Sequence, residues 1–204
     1  MLDNKDMRAE SEEWEIIKKN TRKHAGYFAW TSDRHRHIEE VSVVQILHES
    51  LEKCGMVFFH SHKSRGDSNY PPDCEALSPN GERIGIEVRE LVDSDSIKAS
   101  KCQRHTQREP WSKSYLLKEL HTIINRKDNP PQVKGGPYSQ YLLIIYCDEP
   151  RVLHYDLIEY IRRVKFGPTK LLSRVFFLMS YSPWEKCCPF IELELKPYCS
   201  GDTT

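Results

Sequence analysis

Two carboxylates stand in unusual places in the segment YPPDCEALSPNGERIGIEVREL, residues 70–91. Asp73 directly follows two prolines, and Glu87 interrupts the apolar run IGIEV. A charged residue in an apolar strand needs a partner, because an isolated charge is costly to bury. A divalent metal ion is one such partner, since Mg²⁺ and Mn²⁺ prefer oxygen ligands. The pattern therefore suggests that Asp73 and Glu87 together hold a metal ion.

The residues between the two acids predict how the acids approach each other. The stretch 70–77 is typical of a short strand, SPNGE at 78–82 of a hairpin connection, and RIGIEVREL at 83–91 of a buried strand. If these strands pair through the turn, Asp73 and Glu87 lie side by side. Two close carboxylates repel each other and raise the pKa of at least one of them unless a cation compensates.

Each acid also has an explanation that involves no metal. Asp73 can be a turn residue after two prolines, because aspartate is common in turns. Glu87 can form an ion pair with Arg83 or Arg89 on its own strand. The spacing alone leaves both explanations open.

The apolar patterns along the rest of the chain predict helices and strands in a readable order. The predicted helices are 39–55, 111–127 and 154–164, with a further helix near 9–19, and the predicted strands are 56–60, 70–77, 83–91, 140–147, 174–182 and 190–196. This order predicts an α/β fold in which helices flank a mixed β-sheet. We divide the chain into an N-terminal helical extension, residues 1–35, and one domain, residues 36–204.

Pro72-Asp73, a spacer and then Ile86-Glu87-Val88 in an apolar strand resemble the PD-(D/E)XK phosphodiesterase superfamily. The element order αβββαβ extends the resemblance over residues 36–147. The resemblance implies a restriction-endonuclease-like fold and a Mg²⁺- or Mn²⁺-dependent endonuclease, with DNA as the expected nucleic acid. It also implies that Asp73, Glu87 and the Val88 carbonyl bind the ion and that a water on the ion attacks the phosphorus.

The sequence departs from the superfamily pattern two positions after Glu87, where Arg89 replaces the usual lysine. A guanidinium stays protonated and acts only through charge and orientation. At about 100° per residue, Lys127 lies on the apolar stripe of helix 111–127, whereas Lys118 turns to the polar side. Lysines migrate to this helix in the superfamily, so Lys127 is a candidate to activate the water while Arg89 holds phosphate. The alternative is a last-turn lysine that extends into solvent.

Glu40 is a similar anomaly in helix 39–55. On the same helical wheel it lies near the middle of the face formed by Val41, Val44, Leu47 and Leu51. The resemblance implies that a glutamate of this helix lines the metal site, and Glu40 matches that role. The alternative is a first-turn acid that the helix dipole favours.

A polar segment after the third predicted strand is a candidate nucleic-acid contact. Lys98, Lys101, Arg104 and Arg108 recur at intervals of three or four residues, and no acid occurs from 97 to 107. A helix here would present one basic stripe to a phosphate backbone. A solvated loop is the alternative.

Composition restricts the partners and the compartment. Lys and Arg number 30, as do Asp and Glu, so the net charge is zero and any nucleic-acid surface must be a local patch. The charged N-terminus has no signal-peptide core, and no apolar run could span a bilayer, so we expect a cytoplasmic protein. We expect nucleic acid, and a second copy of the chain in a homodimer, as partners.

Two further classes of function stay open from the sequence. The missing Glu-x-Lys lysine favours a binding or scaffold protein that keeps the nuclease fold without its chemistry. The late cysteines, Cys187, Cys188 and Cys199, could instead hold zinc in an interaction module, although they lack CxxC spacing. The HSH triplet at 60–62 could place two histidines on one strand face, but the sequence offers no third ligand beside them.

Overall fold

The structure is a computed structural model that describes residues 36–66, 71–93, 111–129, 133–148, 152, 154–182 and 185–197. Its helices are α1 (Arg36–Lys53), α2 (Lys113–Lys127) and α3 (His154–Ile161). Its strands are β1 (His60–Ser64), β2 (Cys74–Leu77), β3 (Arg83–Glu90), β4 (Gln140–Cys147), β5 (Lys165–Phe166), β6 (Arg174–Met179) and β7 (Phe190–Leu195). The elements up to β4 follow the predicted order αβββαβ.

The strands form one mixed sheet in the order β1-β2-β3-β4-β6-β7-β5. The hairpins β1-β2 and β2-β3 are antiparallel, whereas β3, β4 and β6 run parallel at the centre. Parallel neighbours need a crossover, and α2 supplies it between β3 and β4. The prediction of an α/β fold with a mixed sheet and flanking helices is therefore confirmed.

Each face of the sheet is covered by its own apolar cluster. Side chains that alternate along the central strands point one way toward α1 and the other way toward α2. On the α1 side Leu47 and Leu51 are fully buried, and on the α2 side Leu116, Leu120 and Ile124 are buried. Full burial of one such side chain stabilises the fold by about 1.5–3 kcal/mol. Glu87 points toward the α2 side, because its neighbours Ile86 and Val88 belong to the cluster under α1.

Both ends of α2 are fixed by hydrogen bonds. Ser112 caps the start, where its hydroxyl accepts a hydrogen bond from the Tyr115 N–H. At the other end the Asp128 carboxylate accepts hydrogen bonds of 2.6 to 2.9 Å from the backbone N–H groups of Lys170, Leu171 and Leu172. These bonds tie the last turn of α2, which carries Lys127, to the loop before β6.

Two predicted strands begin later than expected. The strand predicted at 56–60 is wrong, because β1 begins at His60 and Met56 and Val57 are 46% and 44% exposed. The strand predicted at 70–77 is reduced to Cys74–Leu77. Proline has no N–H to donate to a ladder, so the pairing of β2 starts only after the two prolines. The short strand β5 was not predicted.

Several predictions concern residues outside the described part of the chain. The N-terminal extension with its helix near 9–19 lies there, and so does the basic segment with Lys98, Lys101, Arg104 and Arg108. Within the described residues, none of the helices is long and apolar enough to cross a membrane.

Candidate active site

Asp73 and Glu87 meet where β2 begins opposite β3. Cys74 pairs with Ile86 in the antiparallel register, so the same register continued by one residue places Asp73 opposite Glu87. Both acids are buried, with exposed fractions of 4% and 2%. The register of the hairpin therefore brings the two carboxylates together, as the sequence predicts.

The proline before Asp73 explains how Val88 enters the site. The ladder between β2 and β3 ends at the pair of Cys74 and Ile86, and Pro72 has no N–H with which to extend it toward Val88. The Val88 N–H donates to Asp73 Oδ2 over 2.8 Å. Since the N–H and C=O of one strand residue point to the same side, the Val88 carbonyl also faces the position of Asp73. The Asp73 side chain thus meets the Val88 N–H at the start of β2, and the Val88 carbonyl lies on the same edge of β3.

Lys127 is the cation that contacts Glu87. Its Nζ donates to Glu87 Oε2 over 2.6 Å, and its side chain is 26% exposed. Lys118 on the same helix is exposed, as the helical wheel predicts. The prediction that Lys127 faces inward is confirmed, and the alternative of a lysine extended into solvent is wrong.

Glu40 lies on the buried face of α1, where the helical wheel places it, and is 9% exposed. Arg36, one turn earlier, donates through Nε to Glu40 Oε1 over 2.7 Å. The charge of Glu40 acts on Asp73, since it raises the pKa of that acid. A third carboxylate, held by its own arginine, is therefore close enough to act on Asp73 through its charge.

Burial and negative charge make Asp73 a weak acid. Burial raises its pKa most, the charges of Glu87 and Glu40 raise it further, and the pKa reaches about 8. The hydrogen bond from Val88 and the charge of Lys127 act in the opposite direction. The site therefore holds a proton at neutral pH where a cation would otherwise balance the carboxylates.

Arg89 shares the strand face of Glu87, two residues further on. Burial lowers the pKa of Arg89, and the neighbouring cations Arg126 and Arg36 lower it further. Within the described part of the chain Arg89 forms no ion pair. It lies instead in a cleft of about 360 Å³ with Arg126 and Lys127. Glu90 and Glu119 also line this cleft, so a phosphate group can bind only where the three cations outweigh the two acids.

Tyr141 is a site residue that the sequence reasoning missed. Its buried hydroxyl donates to Glu87 Oε1 over 3.1 Å, which leaves Oε2 for Lys127. Gly85 lies opposite Tyr141 in the parallel register, and a Cβ on this glycine would come within 2.8 Å of the tyrosine ring. A glycine inside a buried strand marks such a close approach, so Gly85 was the signal that could have revealed a large neighbour.

The alternative metal sites find no support among the described residues. No group of three or more His, Cys, Asp or Glu side chains in that part of the chain is arranged to hold a metal ion. His60 and His62 do not share a regular strand face, because Ser61 has a φ of 53° and the register shifts there. Cys187 and Cys188 are free thiols, and Cys199 lies outside the described residues.

The arrangement can bind a cation on its oxygen side and an anion on its cationic side, with Lys127 between the two. No family model, no curated protein and no solved structure matches this chain.

Proposed function

We propose that this protein is a Mg²⁺- or Mn²⁺-dependent nuclease with a restriction-endonuclease-like fold that hydrolyses phosphodiester bonds, with DNA as the first substrate to test. The observation that carries the proposal is the 2.6 Å contact between Lys127 Nζ and Glu87 Oε2. The strand of Glu87 carries Arg89 where the superfamily that it resembles usually has lysine, and Lys127 from α2 contacts the acid instead. The element order αβββαβ around this contact supports the proposed fold.

The donors at the start of β2 fit a hard divalent cation. Mg²⁺ typically uses one or two protein carboxylates and keeps several waters, so a cluster of three side-chain ligands is not required. Asp73, Glu87 and the Val88 carbonyl would hold the ion, with Glu40 nearby. Burial raises the pKa of Asp73 most and the charges of Glu87 and Glu40 raise it further, so a cation bound here would stabilise the ionised carboxylates. A bound ion supplies Lewis-acid polarisation of the phosphate and promotes ionisation of water.

The cations of the chain have separate roles in this proposal. Lys127 can orient the attacking water through one of its N–H groups and stabilise the negative charge that develops in the reaction. Arg89 stays protonated and can only hold the phosphate and stabilise the charge that develops on it. Arg126 lines the same cleft and can hold a neighbouring phosphate oxygen.

The test is cleavage of a panel of DNA and RNA substrates with each divalent ion, using wild type and the variants Asp73→Ala and Glu87→Ala. Both variants should lose cleavage, because each removes a ligand of the ion. Asp148→Ala is the matched control, since Asp148 is an exposed acid after β4. Absence of cleavage by the wild type on every substrate, with Mg²⁺ and with Mn²⁺, would overturn the proposal.

One observation favours a second candidate, a binding or scaffold protein without catalysis. Both oxygens of Glu87 are already bonded within the protein, one to Lys127 and one to Tyr141. A buried ion pair of this kind can serve the structure alone. The same panel separates the candidates, because a scaffold would retain nucleic acid in a binding assay without cutting it under any metal condition.

A further inference from the structure

An open recess of about 190 Å³ lies beside the candidate active site, at the start of β4. Its lining is mainly aromatic and apolar, with one amide, and includes Val133, Pro137, Tyr138, Gln140, Tyr141 and Leu171. An engineered protein cavity of about 150 Å³ admits benzene, so this recess has room for one planar ring.

One residue of the recess lining carries a polar atom that lacks a partner. Gln140 Oε1 is buried and accepts no hydrogen bond within the described residues. The hydroxyls of Ser139 and Ser173, which also line the recess, already donate to the backbone carbonyls of Arg83 and Tyr141. A buried acceptor without a donor is unfavourable, so the Gln140 side chain gains a hydrogen bond if it turns its amide toward a ligand that brings an N–H group.

The rings that line the recess are suited to stacking. The centroids of Tyr138 and Tyr141 are 6.2 Å apart and the rings are inclined by 59°. The guanidinium of Arg83 lies 4.9 Å from the centre of the Tyr138 ring. Arg65 also lies over this ring and donates to the Lys134 carbonyl over 2.9 Å, which fixes the loop that carries Tyr138. This loop passes so close to Arg65 that a Cβ at Gly135 would collide with the guanidinium.

Charge and position connect the recess to the acids. Lys63, Arg65 and Arg83 all face the single carboxylate of Glu75, so this neighbourhood behind Tyr138 carries more positive than negative charge. Tyr141 belongs to both places, since its ring lines the recess and its hydroxyl donates to Glu87. A ligand in the recess would therefore lie one side chain away from the acid pair.

We propose that the Tyr138–Gln140–Tyr141 recess binds an unpaired nucleobase of the substrate, next to the phosphate that is cut. The base stacks against the half-buried ring of Tyr138, and one of its N–H groups donates to Gln140 Oε1 once that side chain turns into the recess. The flanking phosphates lie toward Arg65 and Arg83. This proposal rests on the proposed nuclease function and narrows its substrate to nucleic acid with a single-stranded or extruded nucleotide, because a paired base cannot offer its ring and edge in this way.

The test measures binding without cleavage, in EDTA and separately in Ca²⁺. A fluorescent single-stranded oligonucleotide is compared with a blunt duplex and with oligonucleotides that lack the base at one position at a time. We expect the single strand to bind more tightly than the duplex, and loss of one particular base to weaken binding about tenfold, as for a base stacked on an aromatic side chain. DNA and RNA versions form the two arms.

Variants locate the effect. In Tyr138→Ala and in Gln140→Leu, an oligonucleotide that lacks one base should bind with the same affinity as the complete oligonucleotide, whichever base is missing. The preferred position should therefore disappear. Tyr181→Ala is the control, because Tyr181 is 60% exposed and does not line the recess. In the wild type, 2-aminopurine at the preferred position should lose fluorescence on stacking, and this readout does not depend on any variant folding.

The outcomes separate this inference from the nuclease proposal. If the protein cleaves nucleic acid but its binding depends on no single base, the proposal for the recess is wrong and the nuclease proposal stands. The same holds if Tyr138→Ala keeps the base preference of the wild type. A base-dependent affinity in a protein that cuts nothing supports the recess and overturns the nuclease. Absence of binding to every oligonucleotide, paired or unpaired, overturns the recess.

Discussion

Lys127 on α2 and Glu87 on β3 form an ion pair of 2.6 Å across 40 residues of sequence. Glu87 is almost fully buried, so loss of its partner would leave a buried charge without compensation. The contact forms because the last turn of α2 is tied to the loop before β6 through Asp128. The cation of the site thus depends on the anchoring of a helix rather than on the strand that carries the acid.

The first prediction is that Lys127→Ala lowers the cleavage rate by about two orders of magnitude or more, as expected when a positioned catalytic group is lost. Substrate binding should persist, because the arginines of the cleft remain. Single-turnover cleavage and equilibrium binding measure the two effects. Lys118→Ala is the matched control, since Lys118 is an exposed lysine of the same helix.

Two further measurements keep the assignment of Lys127 testable. Thermal unfolding checks that Lys127→Ala still folds, and the double variant with Glu87→Gln shows how much stability the buried pair contributes. Arg89→Lys should retain or increase activity, because lysine is the usual residue at this position in the superfamily that the sequence resembles. Full activity in Lys127→Ala together with loss in Arg89→Ala would leave Arg89 as the catalytic cation.

The sequence predicted most of the sheet because local patterns determine it. The run QYLLIIYC at 140–147 is apolar throughout, as a strand covered on both faces must be, and it became β4 with the predicted bounds. The inward phase of Lys127 followed from helical geometry alone. The two acids met because a short turn sets the register of a hairpin.

The contacts that the sequence did not predict join residues far apart in the chain. The bond from Tyr141 to Glu87 depends on the parallel register of β3 and β4, which a crossover through α2 determines and no local pattern encodes. The recess at the start of β4 also depends on a loop near 171, which is distant in sequence. Such arrangements become visible only when the whole sheet is assembled.

The second prediction concerns Tyr141 as a positioning residue. Tyr141→Phe keeps the ring against Gly85 but removes the hydrogen bond to Glu87, so the protein should fold normally. The Mg²⁺ concentration for half-maximal cleavage should rise about 10- to 100-fold, as is typical when a residue that orients a metal ligand is lost. A purely structural tyrosine would not change that concentration. Tyr181→Phe, at an exposed position, controls for loss of a phenol.

The third prediction concerns the basic segment after β3. Replacing Lys98, Lys101, Arg104 and Arg108 by Gln should weaken nucleic-acid binding and reduce the slope of log affinity against log salt, because fewer counterions are released. Arg162→Gln with Arg163→Gln is the control, since both are exposed at the end of α3. An unchanged slope in the segment variant would mean that it is only a solvated loop.

The fourth prediction follows from the protonation of Asp73. The pKa of Asp73 is about 8 in the folded protein and about 3.8 when it is unperturbed. Between these two pH values Asp73 is protonated in the folded state and ionised in the unfolded state. The unfolded state binds fewer protons in that interval, and the free energy of unfolding therefore falls as the pH rises from about 4 to about 8. This contribution is fully present below about pH 4 and is lost above about pH 8.

Asp73→Asn should remove this loss of stability at high pH, because the amide cannot ionise and its oxygen can still accept the hydrogen bond from Val88. Urea unfolding without divalent ions should show that the variant gains stability relative to wild type as the pH rises through this interval. At the alkaline end, Mg²⁺ should restore stability to wild type and not to Asp73→Asn, because only the carboxylate exchanges its proton for the ion. Parallel stability curves for the two proteins would contradict a protonated Asp73, and equal stabilisation of both by Mg²⁺ would place the ion elsewhere.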